Sequence, residues 1–138
     1  MSRALVWVLV LATASAWAGD AADAGSRAAP TSAVQKLDAA GFKSALAAAR
    51  ASGKFTLLDV REPTETAGGV VPGAELMPYT SGVFAREHGS IPQGRPVLLY
   101  CASGARAGRA AQILASEGWK DVVVLSGGGY EDLRPASP

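Results

Sequence analysis

Three short apolar runs constrain this chain most: "FTLLDV" (55–60), "PVLLY" (96–100) and "DVVVLS" (121–126). None alternates apolar with polar residues, so each reads as a strand covered on both faces. Helical patterns alternate with them, one before the first run and others between. Asp38 suits an N-cap, "AAGFKSALAAAR" then sets Phe42, Ala45, Leu46 and Ala49 at helical spacing, and Gly53 ends the run. Residues 106–117 place Ala107, Ala110, Ala111 and Leu114 on one face, with Gly118 as the stop. Strands alternating with helices imply a parallel sheet covered on both sides, built with right-handed crossovers. The fold class expected is therefore α/β.

The weaker signals complete the outline. "AVQKL" (33–37) reads as an edge strand, and a short strand near Glu75–Met77 follows a turn at Pro72-Gly73. "REPTETAGG" reads as a polar connection, with Glu62 and Glu65 on a solvated face. Residues 80–90 suggest a loose helix ended by Pro92 and Gly94, and "GGGYEDL" a turn with a short helix. Leu76 and Met77 are expected in the core and His88, the only histidine, on the surface.

The first residues have another logic. Arg3 precedes an apolar stretch from Ala4 to Ala14, and Ala16-Trp17-Ala18 offers small residues around a bulky one. This is the pattern of an export signal cleaved after Ala18. The stretch is short for a bilayer span, which takes roughly 20 residues. The small, polar residues 19–32 read as a flexible leader, 33–134 as the domain and 135–138 as a tail. The expected location is the periplasm, with no membrane contact after cleavage. Cleavage removes Arg3 from the 13 Lys and Arg and leaves 12, against 12 Asp and Glu. A balanced chain with no basic stripe gives no footprint for nucleic acid.

Exported small domains often rely on disulfides, but this chain has one cysteine. Cys101 stands where the "PVLLY" strand ends, followed by "ASGAR". In parallel sheets, ligands sit at the carboxyl ends of the strands. Asp59-Val60-Arg61 and Tyr100-Cys101 share that rim. Ala102, Ser103, Gly104 and Ala105 are small enough for the backbone to curl around the sulfur, and Arg106 opens a helix. Successive amide N–H groups in such a turn, with the positive end of a helix, form an anion cradle. They are expected to lower the thiol pKa and favour the nucleophilic thiolate.

Taken in order, "LLDVRE" (57–62), "GVVPGAELMP" (69–78) and "VLLYCASGARAGRAAQILASEGWKDVVVLSGG" (97–128) resemble the signatures of the rhodanese-like family of single-domain sulfurtransferases. The resemblance spans nearly the whole mature domain. It implies a three-layer domain with a central five-stranded parallel sheet and helices on both faces. It also implies that Cys101 takes up a sulfane sulfur as a persulfide, cradled by Ala102, Ser103, Gly104, Ala105 and Arg106. The donor would be thiosulfate or another persulfide, and the acceptor cyanide or a thiol, including a protein thiol. No cofactor or metal ligand is assigned. Related phosphatases and arsenate reductases use a loop one residue longer than this C-x4-R, which leaves their chemistry a minor alternative. A sulfur relay or binding module with little small-molecule turnover is the main alternative.

Asp59 and Arg61 match the family's Asp-Val-Arg positions and are read as an ion-paired support beside the pocket. Arg106 is left with two readings, facing an anionic donor or pairing at the surface, and Arg109 is read as a solvated helix charge. Two departures stand out. The family's histidine before its Ile-Pro-Gly-Ala is here Val70, and Ala102 and Ser103 lack the basic residue often found after the cysteine. The second departure puts strong thiosulfate affinity in doubt. For the export reading, sequencing of the mature protein should begin at Gly19; retention of Arg3 would contradict cleavage.

Overall fold

The computed structural model describes residues 33–135. The expected signal (1–18) and leader (19–32), and residues 136–138 of the tail, lie outside the described residues. Among the described residues no helix is long and apolar enough to cross a membrane.

Five strands form one sheet: β1 (Val34–Leu37), β2 (Thr56–Asp59), β3 (Glu75–Leu76), β4 (Val97–Tyr100) and β5 (Val122–Leu125), in the order β1-β5-β4-β2-β3. Every pairing is parallel. β2, β4 and β5 are buried at every position, as their unbroken apolar runs require. β1 and β3 are the edges, and β3 has only two residues, both exposed. Leu76, expected in the core, is 41% exposed because β3 ends the sheet there; Met77 is buried as expected.

Among the described residues, five α-helices accompany the strands: α1 (Ala39–Ser52), α2 (Pro63–Thr66), α3 (Val83–Glu87), α4 (Ala105–Ser116) and α5 (Tyr130–Leu133). A 3-10 turn, His88–Ser90, follows α3. The Asp38 side chain accepts the Gly41 N–H at 2.8 Å, which makes it the N-cap of α1. α2 occupies the segment read as a loop. Pro63 starts it, and Glu65 Oε2 turns back to accept the Glu62 N–H at 2.8 Å.

The strands' two-residue period divides the core. Val97, Leu99 and Cys101 join Leu58, Val60, Val122 and Val124 beneath Ala107, Ala110, Ala111 and Leu114 of α4, with Phe84 of α3. Leu98 and Tyr100 join Leu57, Val123 and Leu125 on the opposite face, against Phe42 and Leu46 of α1 and Tyr130 and Leu133 of α5. The result is the expected three-layer α/β domain. Cys101 is therefore in phase with the residues beneath α4, and its sulfur points to that side.

His88 is also better packed than expected. Its ring stacks on Phe84 at 5.1 Å between centroids, Nδ1–H donates to the Phe84 carbonyl at 2.9 Å, and Nε2 meets the Glu117 carboxylate. Burial alone lowers its pKa, but with acceptors at both ring nitrogens the protonated ring is favoured and the net shift is upward.

Two glycines shape the turn after β4. Gly104 adopts φ +95°, a left-handed conformation, just before α4 begins. Gly129 lies where the chain returns beneath that turn: the Tyr130 N–H donates to the Cys101 carbonyl at 2.9 Å, and a β-carbon on Gly129 would stand 1.8 Å from the Ala102 carbonyl oxygen. Gly108 in α4 offers a contrast, since nothing lies within 4 Å of an added β-carbon. Gly108→Ala should stabilise the protein by about 1 kcal/mol. Gly129→Ala should destabilise it by about 1–3 kcal/mol through forced displacement of the 101–104 turn. Urea unfolding midpoints check both; equal effects would show that the close approach has no energetic weight.

Candidate active site

The site is assembled from the carboxyl ends of β2 and β4 and the start of α4. Cys101 follows β4 directly and is buried. The Gly104 N–H donates to its Sγ at 3.0 Å, closing the turn back on the sulfur. Ala102, Ser103 and Ala105 are exposed, and Gly104 and Arg106 half-buried. The sulfur thus lies just beneath a surface turn of small residues. The N-terminus of α4 begins over it, bringing unpaired amide donors and a partial positive charge. A thiolate or persulfide anion is the species such an arrangement suits.

Arg106 stands at the second position of α4, where the helix dipole disfavours a cation. Glu65 of α2 offsets this. Its carboxylate takes two guanidinium hydrogen bonds from Arg106, at 2.6 and 2.7 Å, in a bidentate fork. Arg106, together with the Glu62 N–H, holds the Glu65 carboxyl at about 2, well below the usual carboxylate range. The guanidinium is in turn raised by Glu65, with the charge of nearby Cys101 acting in the same direction. Of the two readings of Arg106, the structure shows the paired one. Glu65 is not the solvated residue expected, because α2 turns it toward α4. Glu62 also has a partner, accepting the Ser81 N–H at 3.1 Å.

Asp59 and Arg61 sit beneath this layer, 0% and 3% exposed. Arg61 Nη2 meets Asp59 Oδ2 at 2.7 Å and Nε meets both carboxylate oxygens at 3.0 Å. Two further N–H groups go to the carbonyls of Glu65 and Gly69, at 3.0 and 2.9 Å. The guanidinium carbon lies 4.0 Å from the Tyr130 ring centroid, a cation–π contact. Burial pulls the Arg61 pKa down, and the hydrogen bonds and charge of Asp59 more than offset that. Tyr100 closes the group: its hydroxyl accepts the Val71 N–H at 3.0 Å, and burial, aided by Asp59, pushes its pKa up despite that bond.

Arg109 is exposed on α4, one turn beyond Arg106. With Lys36, Gly104, Ala105 and Ser126 it borders a groove of about 300 Å³. Sequence reasoning missed Glu65, Gly129 and Tyr130, none of which stands within local spacing of Cys101.

Comparison with known proteins agrees with this architecture. A family profile described as Rhodanese-like domain matches residues 26–133. The chain is 40% identical over 75 residues to the uncharacterized protein YqhL of Bacillus subtilis, covering 54% of this chain and 58% of that protein. It is 38% identical over 72 residues to a protein of Allochromatium vinosum named sulfurtransferase, covering 52% and 65%. The chain thus spans less than two thirds of the length of these curated relatives. A crystal structure of a rhodanese-related protein from Thermoplasma volcanium superposes with a TM-score of 0.60 at 23% identity, covering 75% of this chain and 95% of that one, which speaks for the fold. The chain belongs to the rhodanese-like domain family.

Proposed function

We propose that this protein is a sulfurtransferase in which Cys101 carries a sulfane sulfur as a persulfide. The placement of Cys101 Sγ carries the reading: it lies at the carboxyl end of β4, under the start of α4, with the Gly104 N–H at 3.0 Å. A nucleophile needs its anion stabilised, and this turn supplies backbone donors for that without a general base.

The chemistry runs in two displacements. The Cys101 thiolate attacks the outer sulfur of thiosulfate or of an organic persulfide, forming the S–S bond and releasing sulfite or a thiolate. Cyanide or a thiolate then attacks the outer sulfur of the Cys101 persulfide, the S–S bond breaks, and the Cys101 thiolate returns. Each step moves one electron pair and needs no external oxidant or reductant. The added sulfur stands about 2 Å beyond Sγ. Among the described residues, the histidine lies in α3's packing against Glu117, away from the turn, so acid–base chemistry of the phosphatase type has no imidazole at Cys101.

Burial of Cys101 also favours a second reading, a relay that exchanges sulfur with a docked protein thiol and turns over small donors slowly. Both readings place the sulfur on Cys101. The purified protein should form thiocyanate from a sulfane donor and cyanide faster than the uncatalysed reaction. Cys101→Ser should reduce the rate to background; an unchanged rate would overturn the role of Cys101.

A further inference from the structure

The charges around the turn are arranged in a way that bears on which donor is accepted. Among the described residues, Arg61, Arg106 and Arg109 stand on the elements that build the turn and its support, and the first two are committed. Arg61 is enclosed by Asp59 and two backbone carbonyls. Arg106, in the first turn of α4, gives two of its N–H groups to Glu65. Arg109 is exposed and, with Lys36, borders a groove that Gly104 and Ala105 of the turn also line. The turn itself contributes Ala102, Ser103, Gly104 and Ala105, with no charged group. Cys101 Sγ therefore meets the Gly104 amide, and the charge in the first turn of α4, Arg106, is neutralised by Glu65.

Donors differ sharply in the charge they bring. Thiosulfate is a dianion, so its approach to a thiolate gathers three negative charges and expels a sulfite dianion. A protonated alkyl persulfide gathers one negative charge and expels a thiolate. Amide donors suit a single anionic sulfur. A sulfonate beside it calls for a free cation, for which a guanidinium fork is well shaped. Glu65 occupies the Nη1–Nη2 fork of Arg106.

We propose that Glu65 is a specificity-determining residue: by engaging the Arg106 guanidinium it withholds the cation that would seat a sulfonate, and so sets the site for organic persulfides over thiosulfate. The proposal rests on Cys101 being the sulfur carrier. It concerns the choice between donors and leaves the two displacements as written above. Glu65 acts through Arg106 and touches no reacting atom, so its effect should appear as a change in ratio between donors.

The test is the rate at which Cys101 gains one sulfur, followed by intact mass, with thiosulfate and separately with an alkyl persulfide. Glu65→Gln should raise the thiosulfate-to-persulfide ratio of loading rates about tenfold, the gain of one charge-assisted contact. Adding Arg106→Gln to that variant should remove the gain. Ser103→Arg, which puts a new cation on the exposed turn without disturbing the pair, should also raise the ratio and keeps the test decisive if Glu65→Gln fails to fold. A ratio unmoved in a folded Glu65→Gln and in Ser103→Arg, or a gain that survives loss of Arg106, would overturn the assignment. If the unaltered protein gains no sulfur from either donor, the sulfur-carrier reading itself fails, which is a separate result.

Discussion

Arg61 is the group on which the site's geometry depends. Its guanidinium spends its donors on Asp59 at the end of β2, on the Glu65 carbonyl of α2 and on the Gly69 carbonyl, and its face lies on Tyr130 of α5. Four separate pieces of chain meet at one buried cation. Such a pair is costly to desolvate and is tolerated when its geometry is good and further hydrogen bonds support it. Loss of either partner would leave an uncompensated buried charge, a cost of about 3–5 kcal/mol. The same hub holds Tyr130 in place, and the Tyr130 N–H in turn bonds the Cys101 carbonyl. The reactive turn is thus fixed from below by a cation that never reaches the surface.

Above that layer the electrostatics change character. Arg106 would be poorly placed at the start of α4 on helix-dipole grounds alone, and Glu65 corrects this across the connection from α2. Because the Glu65 carboxyl is held at about 2, the pair persists through the whole neutral and mildly acidic range. Its stability contribution is present above the ordinary carboxylate range and is lost only as pH falls toward 2. Arg61 and Arg106 are therefore both tied into the architecture by carboxylates.

Much of the fold was legible in the sequence because burial on both faces writes continuous apolar runs. β2, β4 and β5 each carry such a run, and α1 and α4 show helical spacing with Asp38 and Gly53 as caps. Cys101 stood out because it followed one run and preceded glycine and a helix. What was hidden was contact between distant segments. α2 is four residues long and lacks an apolar face, so periodicity says nothing of it. Glu65 and Arg106 are 41 positions apart, and no local spacing joins them. Leu76 looked like core, but a two-residue edge strand has no neighbour to bury it. Gly129 gained its meaning only when the chain was seen to pass under the Ala102 carbonyl.

These elements converge on one sulfur held at the end of β4. The most direct measurement is the mass of the protein after exposure to an organic persulfide and removal of excess reagent. The account predicts a gain of a single sulfur atom that maps to Cys101, is discharged by cyanide, and is absent from Cys101→Ser. A folded protein that gains no sulfur under these conditions would contradict it.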